Sequence, residues 1–164
     1  MAQLPERPVP EGHDRGERPV AADRIEIKGL RFLGSHGTLP EELARDQPFE
    51  IDLVLWADLE PAGRTDDLAL TVDYGGLCET VRSVMQGEHV ALMERLAQKV
   101  AAFTLAFAGE RASAVEVAIR KLRPPVGYDV ASAGVRIYRQ AGHVGEGAAF
   151  PGEPADAVPR GRRA

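Results

Sequence analysis

Lys121 stands where a strand pattern calls for an aliphatic side chain. In Val115-Glu116-Val117-Ala118-Ile119-Arg120-Lys121 the odd positions read Val, Val, Ile and Lys, while Glu116 and Arg120 share the opposite face. A side-chain period of two puts Lys121 on the face that Val115, Val117 and Ile119 bury. An ammonium is seldom taken out of water without a reason. A strand-end lysine in a protected space is therefore a candidate acid–base group. The plain alternative is that the strand ends at Arg120 and the Lys121 stem carries its charge to solvent.

Three other side chains could work with it, each with a plain alternative. Glu94 sits in the first turn of a helical pattern, nearly opposite the stripe of Leu92, Leu96 and Phe103. On its own it reads as a solvated acid complementing the helix dipole. Ala97 and Ala101, assigned to the same face, would let another subunit approach. Tyr74, at the edge of the preceding helical stripe, reads on its own as a core-rim residue with a wetted hydroxyl. Glu42, in a loop, reads on its own as a solvated acid. His36, between Gly34 and Gly37, reads as a turn residue whose ring satisfies backbone groups.

Other chemistries lack their residues. His13 and His143 fall in the terminal segments, which leaves His36, His89 and Cys78 without ligand spacing for a metal. There is no phosphate-cradling glycine loop and no nucleophile elbow. Carboxylates, a lysine and a tyrosine remain, with no cofactor called for.

The elements that must position these groups follow from periodicity. Ile25 and Ile27, then Leu30 and Phe32, alternate with polar residues, and the phase slips at Gly29, which predicts a bulge in a long first strand. Phe49, Ile51, Leu53 and Leu55 predict a second strand. Pro40-Glu41-Glu42, between the two, reads as one short helical turn. Leu77, Val81 and Val84 recur at helical spacing, as do Leu92, Leu96, Val100, Phe103 and Phe107 before Gly109. Period two returns in the Lys121 strand and at Val135 and Ile137. The order β-β-α-α-β-β predicts an α+β fold, an antiparallel sheet with two helices on one face.

Composition bounds the rest. At 164 residues, 44% hydrophobic, the chain can bury one sizeable core. Residues 1–22 and 140–164 are rich in Pro, Gly and charge and poor in large apolar residues, so both are expected to be disordered tails around a folded unit at 23–139. A net charge of −5 with 5% aromatics argues against a nucleic-acid surface. No stretch approaches the ~18 consecutive apolar residues of a membrane span, and a single cysteine fits a reducing cytoplasm.

As an ordered set, the motifs resemble the dihydroneopterin aldolase family. The resemblance runs through Gly29-Leu30-Arg31-Phe32-Leu33-Gly34-Ser35-His36-Gly37, Pro40-Glu41-Glu42 and Gln47-Pro48-Phe49. It continues in Thr65-Asp66-Asp67, Thr71-Val72-Asp73-Tyr74, Leu92-Met93-Glu94-Arg95-Leu96-Ala97 and Arg120-Lys121. It departs at Leu122, where the family commonly has Pro after the lysine, and at Asp46, often Gly in the family.

The resemblance implies a tunnelling fold whose subunits close their sheets into a barrel, as a homo-octamer or homotetramer with sites between neighbours. It implies retro-aldol cleavage of a small pterin, 7,8-dihydroneopterin, to 6-hydroxymethyl-7,8-dihydropterin and glycolaldehyde in folate biosynthesis, without metal or Schiff base. By the same resemblance Glu94 pairs with pterin N–H donors, helped by main-chain groups near Val72 and Met93. Lys121 relays protons, Tyr74 protonates the enol intermediate, and Glu42 contacts the hydroxylated tail or assists the lysine. The alternatives are a dihydroneopterin or dihydroneopterin-triphosphate epimerase of the same fold, and a non-catalytic pterin-binding ring.

Overall fold

The computed structural model describes residues 23–142. The two expected tails lie outside the described residues, except that Gln140, assigned above to the second tail, pairs with Ala114 as the last residue of a strand, followed by the turn at Ala141 and Gly142. The elements run β1 (Arg24–Gly34), α1 (Pro40–Ala44), β2 (Gln47–Trp56), α2 (Glu60–Thr65), α3 (Tyr74–Met85), α4 (Met93–Ala108), β3 (Ala114–Lys121) and β4 (Ala133–Gln140). Short 3-10 turns lie at Leu68–Leu70 and Gly109–Arg111. The expected β-β-α-α-β-β order holds for the long elements. Helix α2 and the two 3-10 turns were not foreseen, because each is shorter than two turns and buries no residue.

The four strands form one antiparallel sheet in the order β1-β2-β3-β4. Phe49, Ile51, Leu53 and Leu55 of β2 lie beside Val115, Val117 and Ile119 of β3, all fully buried on one face. Leu77, Val81 and Met85 of α3 and Leu96 and Val100 of α4 cover that face. Between Ile27 and Leu30 the β1–β2 register shifts, with Lys28 and Gly29 opposite Asp52. Gly29 adopts φ +66°, and its N–H donates to Asp52 Oδ1 at 2.8 Å. The predicted bulge is thus a glycine in the left-handed region pinned by a side chain on the next strand.

The second helical stripe is rotated from the expected one. Leu92 is 56% exposed and Phe107 40%, whereas Ala97, Ala101, Thr104, Leu105 and Ala108 are buried. Leu92 is the N-cap, with extended backbone, so a helical azimuth does not apply to it. Ala97 and Ala101 are enclosed within their own chain and do not form an open face for a second subunit.

The opposite sheet face carries a small apolar cluster of Val54, Trp56 and Ala114, with Tyr138 against it, and a charged network. Arg120 donates to Glu50 Oε1 and Asp52 Oδ2, both at 2.8 Å, and Arg31 to Glu50 at 3.0 Å. Among the described residues no helix is long and apolar enough to cross a membrane.

Candidate functional site

The geometry begins at the last residue pair of the two central strands, Phe49 opposite Lys121. Lys121 continues the buried face of β3 and is only 8% exposed, so the solvated reading of it fails. Its Nζ donates to Glu42 Oε1 and lies 5.9 Å from the Phe49 ring centroid. Glu42 is 5% exposed, on α1 rather than in an open loop, and the solvated reading fails there too. Adjacent Glu41 is exposed, so the two acids are distinguished by their environments.

Four donors hold the Glu42 carboxylate. The backbone N–H groups of Thr38 and Leu39 donate to Oε2 at 3.0 and 3.2 Å, and Gln47 Nε2 and Lys121 Nζ donate to Oε1. The Leu39 contact is the reach-back half of a capping box on a helix that Pro40 starts. Burial pushes the carboxyl up, but hydrogen bonds from Lys121, Gln47 and the backbone outweigh it and bring the pKa to about 2. Gly37 leaves the necessary space, since a Cβ there would lie 2.2 Å from the carboxylate, and its φ of +149° suits glycine. The result is an ionised carboxylate and an ammonium in direct contact at the buried end of the sheet. The ammonium of such a pair can give a proton to a bound basic nitrogen, and the amine that this leaves can take one from a bound hydroxyl.

His36 satisfies backbone groups as expected. Its Nδ1 accepts from Val90 N–H at 3.2 Å and its Nε2–H donates to Met85 carbonyl at 2.8 Å, which fixes the neutral tautomer. Burial lowers its pKa, and nearby His89, Lys99 and Lys121 lower it further, against the raising effect of the Met85 bond.

The remaining predicted residues lie elsewhere. Tyr74 begins α3 and is 68% exposed, just after Asp73, which caps the helix by accepting from Gly75 N–H at 2.9 Å. Val72 is buried two residues earlier. A cleft of about 240 Å³ beside Val72 and Asp73 is lined also by Leu68, Phe107 and Arg111. Glu94 is exposed on the first turn of α4, whose N-cap Leu92 supplies no side-chain cap, and Met93 beside it is half-buried. Among the described residues, no hydrogen bond or ion pair joins Tyr74, Val72, Met93 or Glu94 to the Lys121–Glu42 pair.

Gln47 carries a role that sequence reasoning missed, donating to both His36 carbonyl at 2.7 Å and Glu42 Oε1 at 3.1 Å. An amide before Pro48 gives no periodic signal, and only its place at the start of β2 puts it beside α1. Gln47 and Glu42 also line a cleft of about 310 Å³ together with Glu41, Arg45, Asp46 and Arg123. Among the described residues no three His, Cys, Asp or Glu side chains group as a metal site would need.

Comparison with known proteins bears on this arrangement. Residues 25–138 match the family described as dihydroneopterin aldolase. The dihydroneopterin aldolase of Streptomyces coelicolor is 41% identical over 104 residues, 63% of this chain and 86% of that protein. The crystal structure of Escherichia coli dihydroneopterin aldolase in complex with neopterin superposes with a TM-score of 0.65 at 30% identity, covering 71% of this chain and 98% of that one. A Burkholderia dihydroneopterin aldolase bound to guanine gives 0.57 at 25% identity over 73% and 91%.

Proposed function

The chain belongs to the dihydroneopterin aldolase family, and from that premise we propose that it cleaves 7,8-dihydroneopterin through Lys121, Glu42, Tyr74 and Glu94. The observation that carries the reading is the buried Lys121–Glu42 pair. A retro-aldol needs a group that takes the proton from the tail hydroxyl as the carbon–carbon bond breaks. The bond's electron pair passes into the protonated pterin imine, and glycolaldehyde leaves. Lys121, kept in place by the Glu42 carboxylate, gives a proton from its ammonium to the pterin imine nitrogen, and the amine that this leaves takes the hydroxyl proton, directly or through a water. The enol that remains takes a proton at carbon from the exposed phenol of Tyr74, and the ring nitrogen gives up its proton, which restores the phenol through water and leaves the hydroxymethyl product.

Recognition falls to Glu94. Neopterin and guanine, the ligands of the two related crystal structures, share an amino group and a ring N–H on one edge. A carboxylate accepts both. Glu94 has no partner among the described residues, and Met93 and Val72 flank the groups that would complete the contact. No cofactor enters this scheme, because the pterin is its own electron sink.

Tyr74, 68% exposed, and the exposed Glu94 are open to a second copy of the chain, which supports a site completed across subunits. Among the described residues both outer strands, β1 and β4, keep an unpaired edge, so sheets of neighbouring copies joined edge to edge would close a ring. We take that ring to be a homotetramer or a homo-octamer, working in the cytoplasm, where a single cysteine is at no disadvantage.

Incubating the purified protein with 7,8-dihydroneopterin and separating the pterins tests the reading. The expected product is 6-hydroxymethyl-7,8-dihydropterin with equimolar glycolaldehyde. Recovery of only the epimerised substrate, or binding without turnover, would overturn it.

A further inference from the structure

Two loops that are far apart in sequence are tied together beside the acid–base pair. The first, residues 34–38, ends β1 and leads into α1 and Glu42. The second, residues 86–92, joins α3 to α4 and leads into Met93 and Glu94. Four hydrogen bonds connect the first loop to the second and to Met85, the last residue of α3. His36 Nε2–H donates to Met85 carbonyl (2.8 Å), Val90 N–H to His36 Nδ1 (3.2 Å), Gly37 N–H to Val90 carbonyl (3.1 Å) and His89 Nε2–H to Gly37 carbonyl (2.9 Å). Two of the four run through the single ring of His36, which is 3% exposed.

The surroundings leave that ring one pose. Phe49 meets it edge-on at 5.7 Å between centroids, and His89 stacks at 6.4 Å. A Cβ at Gly34 would lie 2.9 Å from Met85 carbonyl oxygen and 3.2 Å from the ring, so only glycine lets the imidazole lie against the end of α3. The carbonyl of His36 in turn accepts from Gln47, whose amide also holds Glu42. One residue therefore touches the loop that leads to Glu94 through its ring and the Glu42 cradle through its backbone.

We propose that His36 is a positioning residue that locks the segment bearing Glu94 to the segment bearing Glu42 and Lys121, so that pterin recognition and proton transfer stay in register. This rests on the function proposed above and concerns a residue that touches neither substrate nor reacting atoms. The lock works with a neutral ring, because Nδ1 must accept from Val90 while Nε2 donates. Protonation turns Nδ1 into a second donor facing the Val90 N–H and breaks that bond. The charged and titratable neighbours are His89 in the second loop, Lys99 on α4 with its 3.8 Å partner Glu88, and Lys121 on β3 with Glu42. Its pKa is lowered from 6.5 by burial first. The lock should therefore hold at and above neutral pH and open as pH falls through a midpoint below 6.5.

His36→Gly vacates the ring and permits chemical rescue. The variant, verified as folded by circular dichroism and light scattering, is expected to lose about 10²-fold in kcat/KM, the scale of a small misplacement of reacting groups. The loss should be shared between weaker neopterin binding and lower kcat, and added imidazole should restore both. A folded variant with wild-type constants, or one that imidazole stabilises to heat without any recovery of kcat, overturns the proposal. Should the variant not fold, the wild-type protein supplies the answer. Hydrogen exchange at the Val90 amide and the neopterin Kd are expected to change together around one midpoint below pH 6.5, and separate midpoints reject the lock. A wild-type protein that binds neopterin without cleaving dihydroneopterin would defeat the aldolase reading, while the exchange and Kd measurements would still decide the role of His36.

Discussion

Lys121 and Glu42 form a buried ion pair in which the lysine ends the central strand β3 and the acid is the third residue of a one-turn helix. Neither partner stands free of the other. Removing the ammonium leaves a carboxylate enclosed by two backbone N–H groups and Gln47, without a counter-charge.

Lys121→Ala is therefore expected to do two things. Loss of an acid–base group lowers cleavage by ~10²–10⁴, and an orphaned buried charge destabilises the fold by about 3–5 kcal/mol. Product assays at saturating substrate and denaturant melts measure these separately. Wild-type turnover in a folded variant would remove Lys121 from the mechanism.

The pair also sets an acid limit on stability. Glu42 has a pKa of about 2 in the folded chain against 4.5 as a free group, so the folded state disfavours its protonation. Its contribution is complete above pH 4.5 and is lost as pH falls from there toward 2. Melting temperature followed over that window should fall in wild type and fall less steeply in Lys121→Ala, which lacks the donor that holds the carboxyl down. Parallel curves for the two proteins would show that the pair does not set the limit.

Glu94→Gln should leave stability nearly untouched, since the side chain is exposed and unpartnered within the described residues. Binding is expected to weaken by about 1–3 kcal/mol, roughly 5- to 150-fold in Kd, because the amide offers a mismatched donor to the ligand's N–H groups. Calorimetric titration with neopterin gives the number. An unchanged Kd would return Glu94 to the role of a solvated helix-end acid.

Tyr74→Phe deletes only a hydroxyl that is exposed at the start of α3. If that hydroxyl protonates the enol, bond cleavage continues while hydroxymethyl product falls. The stranded intermediate then recombines with glycolaldehyde to give epimer, or is oxidised in air. Product separation with oxygen present and excluded distinguishes these fates. The same products in wild-type ratio would refute the assignment.

The order of long elements, the bulge at Gly29 and the inward Lys121 were legible in the sequence, because each is a break in a period that burial imposes over several residues. The α4 stripe was misread at Leu92 and Phe107, since a hydrophobic at a helix end counts toward the period whether or not the helix covers it. Glu42 shows the limit most clearly. Nothing in Pro40-Glu41-Glu42 separates a solvated acid from a buried one. The difference arises from Gln47 at the start of β2 and from Lys121, which the sheet register brings beside it. The Lys121–Glu42 pair could thus be named by family resemblance, but its closed cradle needed the fold.

The ion pair spans 79 residues of sequence, whereas the other donors to Glu42 lie within five. On a ribosome adding ~5–20 residues per second, the local cradle waits about 4–16 s for its cation. During that interval β2 has no strand on its inner edge, and Ile51, Leu53 and Leu55 have neither β3 beside them nor a finished core above. A nascent chain stalled before residue 114 would carry a half-made charge site and an open apolar strand together. The contact to which the proposed chemistry is assigned is thus also among the last to form, and it arrives with the strand that closes the hazard.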